Sequence, residues 1–194
     1  MTSAAVPDPA EPVALIEALF AAEGASEYLG EAVTQAAHML QAARLAEQDG
    51  AADALIAAAL LHDVGHFTGA VSGPGLMAGT DNRHSDTGAA WLARWFGPEV
   101  TEPVRQHVAA KRYLCAAEPG YAATLSPASV YTLGVQGGPM SRAECERFAA
   151  SPYAGDACRL RRWDDAAKDP AAANPRFGHY RPLLARLAAG RARG

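Results

Sequence analysis

The segment ALIAAALLHDVGH, residues 54–66, constrains the fold of this chain more than any other stretch. It begins with a continuous apolar run, which lacks the alternation of a half-buried strand and predicts a buried helix. His62, Asp63 and His66 follow this run directly. Because burying an unpaired carboxylate is costly, Asp63 requires a cationic partner, which is an arginine, a proton or a metal ion.

The rest of the chain predicts one all-α domain. With 194 residues, 49% of them apolar, the chain can form one hydrophobic core, which we place in residues 11–190 after a disordered arm at residues 1–10. No stretch shows convincing strand alternation, and the segment 67–83, rich in Gly, Pro and Asn, predicts a long loop. Helix-like spacing of Ala, Leu, Arg and Glu predicts helices near residues 12–23, 27–49, 51–65, 84–96, 99–112, 127–136, 141–150, 153–169 and 179–190.

The charge and the N-terminal sequence limit the possible partners and location. A net charge of −4 and the lack of a basic block argue against nucleic acid or an anionic membrane surface as a partner. No apolar stretch reaches the roughly 18 residues of a membrane span, and MTSAAVPDPAEP lacks the features of a signal peptide. These features predict a cytoplasmic protein. Its three cysteines, odd in number and without paired spacing, are predicted to be reduced thiols.

Four histidines recur at intervals of about one helix and one connection. The intervals are 24, 22 and 23 residues, and they separate His38, His62, His84 and His107. A lone histidine is usually a neutral core or surface residue, but a His–Asp pair with further histidines at such intervals predicts a common centre. Imidazoles and carboxylates without a thiolate suit iron, manganese or zinc. The acidic pair at residues 164–165, in RLRRWDDAAK, offers further carboxylates.

The order H…HD…D in this chain resembles the signature of the HD-domain superfamily. These metal-dependent proteins have an all-α fold, and their usual reaction is phosphoester hydrolysis. The additional His84 and His107 resemble the dinuclear subset, which implies that Asp63 bridges two ions. By the same resemblance the first ion has the ligands His38, His62 and Asp164, and the second ion has His84 and His107. The choice of Asp164 over Asp165 rests on the family motif alone.

Four further stretches resemble one branch of this superfamily, the PhnZ-like oxygenases of phosphonate breakdown, and the likeness spans residues 28–168. The stretches are YLGEAVTQAAHMLQAA, HVAAKRYL, LSPASVYTLGVQGGPM and LRRWDDAAK. Members of this branch use O2 and a mixed-valence Fe(II)/Fe(III) centre to cleave carbon–phosphorus bonds. The resemblance therefore implies two iron ions as cofactors, O2 as co-substrate, and a small 1-hydroxyalkylphosphonate that is converted into a carboxylate and phosphate.

The first of these stretches predicts a functional helix face. Tyr28, Glu31 and Gln35 are spaced so that a continuous helix would place them on one side with His38. By resemblance Tyr28 closes the second iron until substrate displaces it, and Glu31 and His66 act with it in catalysis. The structural alternative for Tyr28 is a buried tyrosine whose hydroxyl group bonds to Glu31.

The same stretches supply a shell of polar side chains around the metals. By resemblance the substrate-binding residues are Glu31, His66, Lys111, Ser129, Gln136 and Arg161. Such a set of donors fits a phosphonate dianion. Structural alternatives exist, because Lys111 and Arg161 can be solvated helix charges and Ser129 can be a helix cap.

Glu31 is not needed as a metal ligand, so its carboxylate is predicted to face a cationic group at the far end of the substrate. The resemblance then favours 2-amino-1-hydroxyethylphosphonate, which gives glycine, or its trimethylammonio analogue, which gives glycine betaine. Two other functions fit the sequence less well. One is an HD-domain phosphohydrolase that uses divalent metals, and the other is a metal-binding regulatory module without turnover.

Overall fold

The computed structural model describes residues 10–22, 28, 31–68 and 83–191. Every regular element within these residues is helical. This confirms the all-α fold class. No described helix has both the length and the apolar character of a membrane span. The α-helices are α1 (Ala10–Ala22), α2 (Gln35–Gln48), α3 (Asp53–Leu61), α4 (Gly65–Thr68), α5 (His84–Leu92), α6 (Pro98–Ala117), α7 (Pro127–Val135), α8 (Arg142–Ala149), α9 (Ala154–Ala166) and α10 (Arg181–Arg191), and two 3₁₀ helices are η1 (Tyr121–Thr124) and η2 (Phe177–His179).

Helix α3 lies at the centre of the fold because its sequence, DALIAAALL, is apolar on nearly all sides. Residues 55–61 are all buried, and helices α2, α6 and α9 pack around them. Side chains from the two ends of the chain complete this core, among them Ile16 and Leu184. Since His62 and Asp63 follow α3 directly, the core holds them in a fixed position at its end.

The predicted helix over residues 27–49 begins only at Gln35. Thr34 has an extended backbone, with φ −79° and ψ 158°, and its hydroxyl oxygen accepts a backbone N–H at 3.2 Å, which caps the helix. The Glu31 amide donates instead to the carbonyl of Tyr28, within a turn before the cap. The prediction that Tyr28 and Glu31 share a helix face with His38 is therefore wrong, and they reach the same region from a turn.

Two other predicted segments lie largely outside the described residues. The predicted arm covers residues 1–10, and of these only Ala10 is described, as the first residue of α1. Of the predicted loop 67–83, residues 69–82 lie outside the described part of the chain. Phe67 and Thr68 belong to the short helix α4.

A close crossing between α4 and α5 fixes the position of His84. A Cβ atom at Gly65 would lie 1.9 Å from the carbonyl oxygen of His84, and a Cβ at Gly88 would lie 2.9 Å from the Gly65 nitrogen. The two helices therefore meet backbone to backbone, which only glycine permits. Because His84 is the first residue of α5, this crossing brings its imidazole next to Asp63.

Candidate metal centre and substrate pocket

Four buried imidazoles from different elements surround Asp63. They come from α2, from the turn after α3, from the start of α5 and from the middle of α6, and they are His38, His62, His84 and His107. The Nε2 atoms form two pairs, with 3.1 Å between His38 and His62 and 3.1 Å between His84 and His107. Because a metal–imidazole bond is about 2.0–2.1 Å long, this spacing suits two ligands of one ion in each pair.

Backbone carbonyl groups orient three of these imidazoles. The Nδ1 atom of His38 lies 2.9 Å from the Ala167 oxygen, that of His62 lies 2.8 Å from the Ala59 oxygen, and that of His107 lies 2.7 Å from the Val104 oxygen. A carbonyl oxygen only accepts, so each Nδ1 carries a proton and the Nε2 atom of each ring faces the centre, as in an imidazole ligand of a metal. Two Nε2 atoms 3.1 Å apart are suitably placed to share a cation.

The pKa values of the second pair argue against a proton as that cation. Burial, with a smaller effect from the charge of His62, lowers the pKa of His107 to about 4. Burial also holds the pKa of His84 well below its usual value. Both rings are therefore neutral near pH 7, when their Nε2 atoms are suited to a metal ion.

Asp63 divides its two carboxylate oxygens between the two pairs. Its Oδ2 atom lies 3.5 Å from His62 and 3.8 Å from His38, whereas Oδ1 lies 3.4 Å from His84 and 3.6 Å from His107. Burial raises the pKa of this carboxyl, but at the acidic pH where it titrates the surrounding imidazoles, first among them His62, are protonated, and their charge outweighs burial and holds the pKa well below the usual value. Two triads with metal-binding geometry, His38–His62–Asp63 and Asp63–His84–His107, thus share one ionised carboxylate.

The two acidic residues of the late pair have different surroundings. Asp164 is buried, with Oδ1 3.3 Å from the Nε2 atom of His38 and Oδ2 2.8 Å from Arg161. Asp165 turns away and accepts from Arg161 and from the hydroxyl group of Tyr121. The geometry therefore agrees with the motif in directing Asp164, and not Asp165, toward the first histidine pair.

The predicted catalytic and substrate-binding side chains line one small cavity of about 30 Å³, which is also bordered by Asp63, His84 and His107. The predicted side chains are Tyr28, Glu31, His66, Lys111, Ser129, Gln136 and Arg161. The Nε atom of Arg161 and the Oε1 atom of Gln136 are buried there without a hydrogen-bond partner. Buried polar atoms of this kind usually meet a bound molecule or water, so the cavity is suited to a polar ligand.

Lys111 and Arg161 are not solvated helix charges. They are 2% and 5% exposed, and the Lys111 ammonium donates to the Thr132 hydroxyl group at 3.0 Å. Burial, followed by repulsion from Arg161, lowers the pKa of Lys111 to about 7. Ser129 is not the cap of α7 either, because the hydroxyl oxygen of Ser126 caps this helix and accepts the backbone amide of Ser129.

Tyr28 lies against the first histidine pair, whereas the resemblance places it at the second ion. Its ring stacks on His38 with 3.8 Å between ring centroids, and its hydroxyl group lies 3.5 Å from the Oδ1 atom of Asp164. Burial, followed by the charge of Asp164, raises the pKa of this phenol well above its usual value. The phenol is therefore protonated at neutral pH and can donate a hydrogen bond.

His66 and Asp86 differ in their distance from the centre. The Nε2 atom of His66 lies 3.9 Å from Asp63, and its ring stacks on His84 with 4.2 Å between centroids. Asp86, which could have oriented a histidine, instead pairs with Arg83 at 2.7 Å and lies 3.8 Å from Arg105.

Glu31 differs from its prediction. Its Oε1 atom accepts from the Ser126 hydroxyl group at 2.5 Å and from the Lys168 ammonium at 3.0 Å. Burial raises the pKa of Glu31, but these two hydrogen bonds outweigh burial and lower the pKa below its usual value. The expectation of a carboxylate free to face the substrate is therefore wrong for this structure, since Lys168 already provides a cation.

Sequence reasoning did not assign a role to several residues of the pocket. Lys168 and Thr132 line the cavity, and Asp165 holds Arg161 from behind. Lys168 and Asp165 lie within the stretch LRRWDDAAK, and Thr132 lies within LSPASVYTLGVQGGPM. Only their place within those stretches could have indicated that these residues belong to the pocket, because charge and spacing alone do not distinguish them from surface residues.

The chain belongs to the HD-domain family, since residues 36–136 match the family model described as the HD domain. Within it, two relatives place the chain among the PhnZ-like oxygenases. It is 42% identical over 175 residues to a glycine-betaine-forming 1-hydroxy-2-(trimethylamino)ethylphosphonate dioxygenase of Leisingera caerulea, which covers 90% of this chain and 89% of that protein. It is 44% identical over 161 residues to a hydroxymethylphosphonate dioxygenase of Gimesia maris, which covers 82% of this chain and 80% of that protein.

Proposed function

We propose that this protein is a di-iron oxygenase that cleaves the carbon–phosphorus bond of a small 1-hydroxyalkylphosphonate. The observation that carries the proposal is the position of Asp63 between two histidine pairs, at the base of a cavity whose walls hold Lys111 and Arg161. The names of the two relatives, both hydroxyphosphonate dioxygenases, support the same reaction.

The chemistry of the bond favours an oxygenase over a hydrolase. Water displaces an alkoxide from a phosphoester readily, whereas a carbon–phosphorus bond has no comparable leaving group until the carbon is oxidised. In the balanced reaction C1 loses its hydrogen and its bond to phosphorus and gains one oxygen. Phosphorus gains the other oxygen of O2, and one proton is released. The products are a carboxylate and phosphate.

The residues of the centre fit two metal ions. His38, His62 and Asp164 would hold one ion, and His84 and His107 the other, with Asp63 shared between them. Iron, when bound, supplies the change of oxidation state that reaction with O2 requires and that zinc and magnesium lack. The donor set of imidazoles and carboxylates suits iron.

The cavity walls bind and orient the substrate. Arg161, held from behind by Asp164 and Asp165, presents a fixed guanidinium group to the phosphonate oxygens. Lys111 adds a second positive charge, and Ser129, Gln136 and His66 contribute hydrogen bonds around the same group. Because these side chains approach from different elements, they fix the position of C1 relative to the metals.

Tyr28 covers the centre before substrate binds. Its phenol stacks on His38 and donates toward Asp164, so an entering substrate would have to displace it to reach the centre. Such a cover would keep O2 from an unloaded centre. The name of the first relative supports a 2-trimethylammonio substituent on the substrate and glycine betaine as the product.

Phosphate release from 2-trimethylammonio-1-hydroxyethylphosphonate and from a phosphomonoester tests this proposal. We expect release from the hydroxyphosphonate only with iron and O2 together, and slow release from the ester under all conditions. A protein that is loaded with zinc serves as the matched control and should be inactive on the hydroxyphosphonate. Full turnover of the ester without O2 would support the phosphohydrolase instead.

A further inference from the structure

Lys168 occupies the position at Glu31 where a cationic substrate group would bind. Its ammonium lies 3.0 Å from the Glu31 carboxylate, and both side chains line the substrate cavity. We propose that Lys168 is a specificity-determining residue that competes with the substrate's cationic 2-substituent for Glu31. This inference rests on the proposed function, because it concerns the selection among hydroxyphosphonates in the same pocket.

The backbone on both sides of Lys168 is fixed by helix α2. The carbonyl oxygen of Ala167 accepts from the Nδ1 atom of His38 at 2.9 Å. On the other side, the Asp169 amide donates to the side-chain oxygen of Gln41 at 3.1 Å, and the Gln41 side chain donates to the Asp169 carbonyl at 2.8 Å. Lys168 therefore leaves the backbone at a fixed point beside the cavity.

Two hydroxyl groups hold the ammonium of Lys168 against Glu31. Its Nζ atom donates to Ser126 at 3.0 Å and to Ser129 at 2.9 Å, and Ser126 in turn donates to Glu31 at 2.5 Å. The side chains of Lys168 and Glu31 are only 13% and 17% exposed. Water therefore screens the pair less than it screens an ion pair on the surface.

The pair weakens the attraction of Glu31 for any second cation. A carboxylate that is already paired offers little net negative potential, so a trimethylammonio group gains from Glu31 only by competing with Lys168. A hydroxymethylphosphonate has no such group and gains nothing from Glu31. Removing the charge of Lys168 should therefore favour the cationic substrate over the unsubstituted one.

Equilibrium binding without turnover tests this proposal. Dissociation constants are measured anaerobically, on iron-loaded protein, for 2-trimethylammonio-1-hydroxyethylphosphonate and for hydroxymethylphosphonate. For Lys168→Met we expect the ratio of the two affinities to shift about five- to tenfold toward the cationic compound. A shift of this size corresponds to one charge-assisted contact that solvent partly screens. Lys168→Arg keeps the charge and should keep the wild-type ratio.

The same substitution, made in a protein that already carries Glu31→Gln, separates competition at Glu31 from other roles of Lys168. In Glu31→Gln the same Lys168→Met substitution should leave the ratio unchanged, because the shared carboxylate is gone. Equal weakening of both compounds by Lys168→Met would identify Lys168 as a phosphonate ligand and overturn the proposal. If Lys168→Met does not fold, as judged by its helical circular dichroism, Lys168→Gln provides the same comparison.

The binding ratio is independent of the reaction itself. A wild-type protein that binds both compounds, yet releases no phosphate with iron and O2, would contradict the proposed function and leave the ratio measurable. A protein that turns over hydroxyphosphonates, but whose affinity ratio is the same with and without Lys168, would contradict only the role of Lys168.

Discussion

Gly65→Ala should remove one metal ion from the centre without touching a metal ligand. The added methyl group would lie 1.9 Å from the carbonyl oxygen of His84, whereas ordinary contacts of a Cβ begin at 3.4 Å. Helices α4 and α5 must therefore separate by about 1.5 Å at this point, at a cost of about 1–3 kcal/mol for overpacking. Because His84 is the residue contacted, its imidazole moves with the helix.

A shift of this size is much larger than a metal site tolerates. Ligand distances hold to within about 0.2 Å in such sites, so the pair formed by His84 and His107 should lose its ion. We expect iron-loaded Gly65→Ala to retain about one iron per chain, against about two in the wild type. Phosphate release should fall about 100-fold or more, as expected for a displaced catalytic group.

Metal analysis after anaerobic loading with iron and gel filtration measures this effect. Gly134→Ala is the matched control, because Gly134 lies within helix α7 and a Cβ there meets no atom within 4 Å. The control should keep both ions and full activity. Two tightly bound irons and wild-type turnover in Gly65→Ala would refute the close crossing as the feature that positions His84.

Four further substitutions test the roles of single residues. Asp63→Ala should lose both ions and His107→Ala chiefly one, because Asp63 alone belongs to both triads; the iron content of each variant measures this. A protein that holds one zinc ion tightly without needing His84 or His107 would contradict the prediction. The value of kcat/KM should fall as pH rises through about 7, because Lys111 loses its proton, and with it its positive charge, in this range in the free protein. Lys111→Arg should extend activity to higher pH. The same pH profile in the wild type and in Lys111→Arg would exclude Lys111 as the group whose charge binds the substrate. Arg161→Ala should raise KM by the equivalent of about 1.5–3 kcal/mol, because it removes a charge-assisted contact, and an unchanged KM would exclude that contact.

The spacing of the histidines was enough to predict that they converge, for a physical reason. Each interval between them corresponds to one helix and one connection, and helices packed around the apolar α3 bring such positions to one end of the core. The apolar run before His62 likewise predicted a buried helix. Both patterns are local in the sequence, and the packing of helices around the hydrophobic core then determines where the histidines lie.

Other features depend on contacts between distant segments and could not be predicted in this way. The Thr34 cap interrupts a run with good helical composition, so Tyr28 and Glu31 reach the pocket from a turn. The pairing of Glu31 with Lys168 joins residues 137 positions apart in the chain. The role of Gly65 could not be predicted from the sequence, because a glycine indicates a close approach of two backbones only when the residue that faces it is known.

Isotopic labelling shows whether both oxygen atoms of O2 enter the products. The iron-loaded protein is given a 1-hydroxyalkylphosphonate and ¹⁸O2 in unlabelled water, and the carboxylate and the phosphate are analysed by mass spectrometry. Because C1 and phosphorus each gain one oxygen in the balanced reaction, an oxygenase that uses both atoms of O2 should place one label in each product. Phosphate that forms without label from ¹⁸O2, and so takes its new oxygen from the unlabelled water, would contradict the oxygenase and identify hydrolysis.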